Sequence, residues 1–182
     1  MTHLTPNDYK VQPWANGRGQ TVELLRLEQD GVLHLRLSMA TVGEDGPFSI
    51  FPGIDRNLTV ISGPGFNLVG DGLALTCAPL APVAFPGDIA VVATGTHNQP
   101  SDDFNVMTGR HLPRPTVNVE HDTTLPKGGT LYLFALGPAS VNGSPIAHHD
   151  LIITDAPARI IAAAGMIVVR VISYDGRIAH PT

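Results

Sequence analysis

A chain of 182 residues with 43% apolar content holds one compact domain or two small fused ones around a real core. Its net charge of −5, with no run of Lys or Arg, argues against a phosphate-reading surface, so nucleic-acid binding is not expected. The 19 glycines and 16 prolines, set among abundant Val, Ile, Leu and Thr, predict an all-β chain of short strands and many turns.

The N-terminal stretch Met1 to Asp8 lacks a basic segment followed by an apolar one, so no secretory leader is expected. Trp14-Ala15-Asn16-Gly17-Arg18-Gly19 has the glycines of a tight loop, and Thr21 to Leu27 follows as a strand. The two glycines lack the third glycine and the preceding strand of a dinucleotide fingerprint. Val32 to Thr41 alternates: Leu33, Leu35, Leu37 and Met39 share a core face, while His34, Arg36, Ser38 and Ala40 share the other. That second face is either solvent-exposed or the lining of a polar cavity.

Gly46 to Arg56 packs turn formers, Phe48, Phe51 and the pair Asp55-Arg56 into eleven residues, and reads as an irregular loop entering a strand. A rigid loop holding aromatics beside a guanidinium suits a planar anion; the alternative is a structural corner. Leu58 to Ile61, Phe66 to Val69, Leu73 to Thr76 and Ile89 to Ala93 read as strands separated by Gly63-Pro64-Gly65, Gly70-Asp71-Gly72 and Pro86-Gly87-Asp88. A similar order recurs in Leu131 to Ala135, Asn142-Gly143 and His149-Asp150 before Leu151, as a diverged duplication would leave. Pro113 to Gly129 reads as the connecting arm. Ile160 to Ile172, broken by Gly165 and Arg170, is too short to span a bilayer and reads as a buried strand pair. Cys77 is the one cysteine, which excludes an intramolecular disulfide and fits a reducing, cytoplasmic setting.

The blocks Trp14-x-Asn16-Gly17-x-Gly19-x-Thr21-x-Glu23, Arg36-x-Ser38-x-Ala40, Gly46-Pro47-Phe48-Ser49-x-Phe51-Pro52-Gly53-Ile54-Asp55-Arg56, Phe85-x-Gly87-Asp88 and Asp103-Phe104-Asn105-Val106-Met107-x-x-Arg110 resemble the HutD/Ves family of the cupin superfamily. The resemblance implies a cupin-like double-stranded β-helix, duplicated as a bicupin in one compact body. Residues 1–112 would form the N-terminal barrel and 113–182 a smaller C-terminal one. It also implies a protein that accompanies the histidine-utilisation enzymes and modulates the pathway, with urocanate or N-formylglutamate as proposed ligands. Two positions depart from the family pattern: Ala15 stands where Lys is common, and Gly109-Arg110 where an Arg pair is expected. Each removes a cation near the supposed pocket.

The usual cupin metal triad would fall near Ser49, Phe51 and Arg56, none of them a ligand here, so no metal and no other cofactor is expected. His97 occupies the place of a cupin's last His and reads as a solvated loop residue. His148 and His149, if on a strand, point to opposite faces. No nucleophile stands beside a matched base, so no catalytic residue is assigned. The expected ligand-binding set is Trp14, Asn16, Arg36, Ser38, Phe48, Phe51, Asp55, Arg56, Asp103, Asn105 and Arg110. Arginine forks grip carboxylates, aromatic rings sandwich a flat ligand, and Asn both donates and accepts. The competing readings are structural: Trp14 capping a barrel end, Asn16 serving its turn, and Arg36 ion-pairing with Asp55 or Asp103. The resulting expectation is a non-catalytic carboxylate-binding protein that modulates histidine utilisation. The alternative is a metal-independent cupin enzyme on an anionic metabolite or sugar. Exposed strand edges leave room for a homodimer.

Overall fold

The computed structural model describes residues 1–13 and 20–172. In chain order the strands are β1 (Thr2–Leu4), β2 (Lys10–Pro13), β3 (Gln20–Gln29), β4 (Val32–Val42), β5 (Gly46–Pro47), β6 (Ile54–Ser62), β7 (Phe66–Gly70), β8 (Leu73–Cys77), β9 (Val83–Pro86), β10 (Val91–Thr94) and β11 (Ser101–Gly109). They continue as β12 (Thr116–Leu125), β13 (Thr130–Ala135), β14 (Ala139–Val141), β15 (Ser144–Ile146), β16 (Leu151–Thr154) and β17 (Ala158–Val171). Among the described residues the one helical turn is a short 3-10 segment, Pro6–Asp8, so the chain is all-β. Two units emerge, residues 10–110 and residues 1–9 together with those from 111 onward.

In the first unit, β2-β3-β4-β11-β6-β9 form one sheet and β5-β10-β7-β8 another. Alternation decides which side chains meet inside: Phe66 and Leu68 on β7, and Val91 and Ala93 on β10, are buried while Asn67, Val69 and Val92 are exposed. These buried groups cluster with Leu58, Val60, Cys77 and Phe85, and Phe48 packs on the cluster from the loop before β6. The strand expected from Leu58 begins at Ile54, so Asp55 and Arg56 lie within β6 and take opposite faces. The β7–β8 hairpin turns at Asp71-Gly72, with Gly72 at φ +69°.

The second unit is one sheet, β1-β16-β13-β17-β14-β15, with β12 also paired to β17. The expected arm from Pro113 to Gly129 is instead largely the ten-residue strand β12, whose β-branched Thr116, Val117, Val119, Thr123 and Thr124 favour an extended chain. The expected strand pair over 160–172 is a single strand, β17. Gly165 does not turn the chain: at φ +92° it lies in an irregularity, where the register with β12 jumps from Glu120–Met166 to Asp122–Ile161. Leu133, Ile152, Ile160, Met166 and Val168 belong to this unit's core.

Residues 1–9 group with the second unit for visible reasons. Strand β1 pairs with β16, His3 Nε2 lies 2.7 Å from Asp150 Oδ2, and the Tyr9 hydroxyl donates to the His149 carbonyl at 2.6 Å. Asp150 Oδ2 also accepts from the Ala147 N–H at 3.0 Å, fixing the turn that carries both neighbouring histidines. His148 and His149 therefore do not point to opposite faces of a strand; they lie in that turn, with ring centroids 3.7 Å apart.

Candidate functional site

Antiparallel pairing in the first unit lines up three rows of side chains on the inward face. Glu23, Ser38, Asn105, Leu58 and Val83 are directly opposed across β3, β4, β11, β6 and β9. The next row is Arg36, Met107, Arg56 and Phe85, and on the other side of the Asn105 row lie Thr21, Ala40, Asp103 and Val60. Leu58, Val60 and Phe85 belong to the apolar core, so the face is apolar toward β9 and polar toward β3 and β4.

Arg56 stands where the two regions meet. Its guanidinium carbon lies 5.2 Å from the Phe48 ring centroid, 5.4 Å from Phe51 and 4.9 Å from Phe85. These distances are in cation–π range. Its Nη2 donates to Asn105 Oδ1 at 3.0 Å and its Nη1 to the Ser49 carbonyl at 3.4 Å. The residue is 7% exposed, and among the described residues its Nε has no partner. Burial pushes the guanidinium down to about 10, partly offset by the negative charge of Asp103, while the charge of Arg36 lowers it further.

Asn105 relays this contact to Asp103, donating from Nδ2 to Asp103 Oδ1. Asp103 is 1% exposed and its Oδ2 has no partner among the described residues. Burial raises its carboxyl to about 7, against the pull of Arg56. Arg36 is held differently: its Nε donates to Glu23 Oε2 at 2.6 Å, and Met107 Sδ lies 3.7 Å from its Nη1. Ser38 is buried between these groups.

Of the eleven residues expected at a site, Arg36, Ser38, Phe48, Phe51, Arg56, Asp103 and Asn105 come together here. Asp55 and Arg110 do not join them. Arg110 grips Asp88 with two bonds, 2.7 Å and 3.0 Å, approaches Asp55 at 3.3 Å, and donates to the Ile54 carbonyl. Asp88 in turn accepts from the Gly53 N–H at 3.1 Å, so this group fastens the turn that leads into β6. Trp14 and Asn16 lie outside the described residues. Glu23, Phe85 and Met107 belong to the site without having been expected there. All three stood in the recognised blocks, but only the register sets Phe85 and Met107 opposite Arg56, and Glu23 opposite Ser38, from where it reaches Arg36.

The Arg110 clasp is exposed and charge-based. Replacing Arg110 with Gln is expected to lower the melting temperature modestly, with the difference shrinking in 1 M salt. Melting curves at two salt concentrations check this, and an undiminished loss in salt would mean the clasp acts through packing.

His97 is exposed at φ +51°. Among the described residues no three His, Cys, Asp or Glu side chains gather as metal ligands would. No helix among them is long and apolar enough to cross a membrane.

The family model for HutD matches residues 6–167. Protein Ves from Citrobacter koseri is 32% identical over 140 residues, covering 74% of this chain and 73% of that protein. The solved HutD from Pseudomonas fluorescens SBW25, crystallised in a formate condition, is 28% identical, with a TM-score of 0.84 over 94% of this chain and 98% of its own. A cupin 2 conserved barrel domain protein from Leptotrichia buccalis, 10% identical, superposes with a TM-score of 0.51 over 83% of this chain and 88% of its own, and shares the fold alone. The fold is therefore cupin-like.

Proposed function

Because the chain belongs to the HutD family, whose name ties it to histidine utilisation, we propose that it binds a small carboxylate metabolite at Arg56 and modulates that pathway without consuming the ligand. One observation carries the reading. A buried guanidinium lies near three phenyl rings while its Nε lacks a partner among the described residues, which is how a protein would hold a cation ready for a flat or forked anion. Asn105 and Ser38 add neutral polar groups beside it, suited to a formamide or imidazole. Urocanate and N-formylglutamate carry these features. The cytoplasmic setting is the one such metabolites imply.

Calorimetric titration with urocanate, N-formyl-L-glutamate, glutamate and histidine tests the reading. One of the first two is expected to bind and to be recovered unchanged. Arg56→Lys, which keeps the charge but loses the planar fork, is expected to cost about 1.5–3 kcal/mol, roughly 10- to 150-fold in affinity. Undiminished affinity in that variant would place the anion elsewhere. Conversion of the ligand would favour a metal-independent enzyme, with Asp103 as the acid–base group.

A further inference from the structure

We propose that an anion binding beside Arg56 brings one proton with it, taken up by Asp103, so that occupancy of the site depends on pH. The inference rests on the anion-binding reading above and adds its regulation.

The geometry makes Asp103 depend on a charge that the ligand would use. Its Oδ1 has a neutral partner, the Asn105 amide, and its Oδ2 has none among the described residues. An ionised carboxylate so placed is costly unless a cation lies near. On β4, Ala40 is directly opposite, and Arg36, two rows along, is matched by Glu23 at 2.6 Å. On β6, Val60 is opposite and Arg56 reaches Asn105. On β8, burial raises the Cys77 thiol to about 12, so it is neutral. On β11 itself, Asp102 takes the other face, where the Thr41 and Ser62 hydroxyls donate to it at 2.6 Å and 2.8 Å. His34 shares the inward face of β4 three rows from Asp103, roughly 20 Å away at strand spacing. Arg56 is therefore the cation that offsets the Asp103 charge.

An anion settling against Arg56 Nε uses that same positive charge and adds a negative one close by. The Asp103 carboxyl, already lifted to about 7 by burial, rises further and takes a proton from solvent onto Oδ2. The complex then holds more protons than the free protein, so affinity increases as pH falls. The change is at most tenfold per pH unit above about 7, and flattens below it, where the free carboxyl is already protonated.

N-formyl-L-glutamate is the probe for titration, because none of its groups changes charge between pH 6 and 9. Binding heats measured at pH 8 in two buffers of different ionisation enthalpy count the protons. Wild type is expected to take up close to one proton per anion. Asp103→Asn is expected to bind with little dependence on pH and no proton uptake. Binding by wild type without proton uptake, or uptake that persists in Asp103→Asn, overturns the proposal while leaving the anion site intact. Absence of any binding removes the anion site and this proposal with it. Should Asp103→Asn fail to fold, the infrared band of a protonated carboxylic acid, appearing when the anion is added to wild type at pH 8, supports the proposal, and its absence overturns it.

Discussion

Arg56→Ala is expected to lower folding stability by about 3–5 kcal/mol, the range seen when one partner of a buried charge pair is removed. Three losses coincide. Asn105 Oδ1 loses its donor, Asp103 keeps a buried carboxyl without its counter-charge, and a void opens near the rings of Phe48, Phe51 and Phe85. Urea denaturation at pH 8 measures the sum. Because Asp103 is ionised there and largely protonated at pH 5.5, the loss is expected to be smaller at the lower pH. The sign follows from the carboxyl itself. Its folded value, about 7, lies above the ordinary 3.8, so the stability contributed by its protonated form is complete below about 4 and gone once pH passes 7. A loss below about 1 kcal/mol at both pH values would mean that the guanidinium is not held by this network.

The size of that effect bears on how the ligand experiments are read. A variant that removes Arg56 entirely confounds binding with folding, which is why Arg56→Lys is the cleaner probe of the anion site. It keeps the charge that Asp103 needs and gives up only the planar donors.

How much of this was legible in the sequence differs from element to element. The alternation over Val32 to Thr41 announced β4, and Asn142-Gly143 announced the β14–β15 hairpin, because both signals are local. The same alternation left the Arg36 and Ser38 face open between solvent and cavity, since only the fold sets it beside Asn105 and Met107 on β11 and buries the three of Ser38, Asn105 and Met107 together. Asp55 and Arg56 illustrate a different failure. Read as loop residues, they seemed to share a pocket; read as neighbours on a strand, they must part. Period two sends Arg56 inward to Asn105 and Asp55 outward to Arg110. Strand β12 was hidden by the prolines and glycines flanking it. Gly165 looked like a break because a left-handed glycine inside a strand and one in a turn are the same letter.

Gly65→Ala is the second substitution with a large expected effect, and Gly72→Ala is its control. Both glycines have positive φ, +88° and +69°, so both variants pay the left-handed penalty of about 1–2 kcal/mol. At Gly72 a methyl would meet nothing within 4 Å, and the penalty is the whole cost. At Gly65 it would lie 2.2 Å from the Cys77 carbonyl oxygen, so backbone must move. The movement has two consequences. It strains the Phe66–Cys77 end of the β7–β8 pairing, and it pulls the Gly65 N–H from Ser101 Oγ, a buried 2.9 Å bond at the start of β11, two residues before Asp103. Gly65→Ala is therefore expected to lose about 3 kcal/mol or more, and to weaken anion binding through the displaced β11, whereas Gly72→Ala leaves binding alone. Urea midpoints for the pair measure the difference between them, which isolates the steric clash from the backbone penalty. Equal midpoints would show that the turn at Gly63-Pro64-Gly65 shifts freely and does not fix the position of β11.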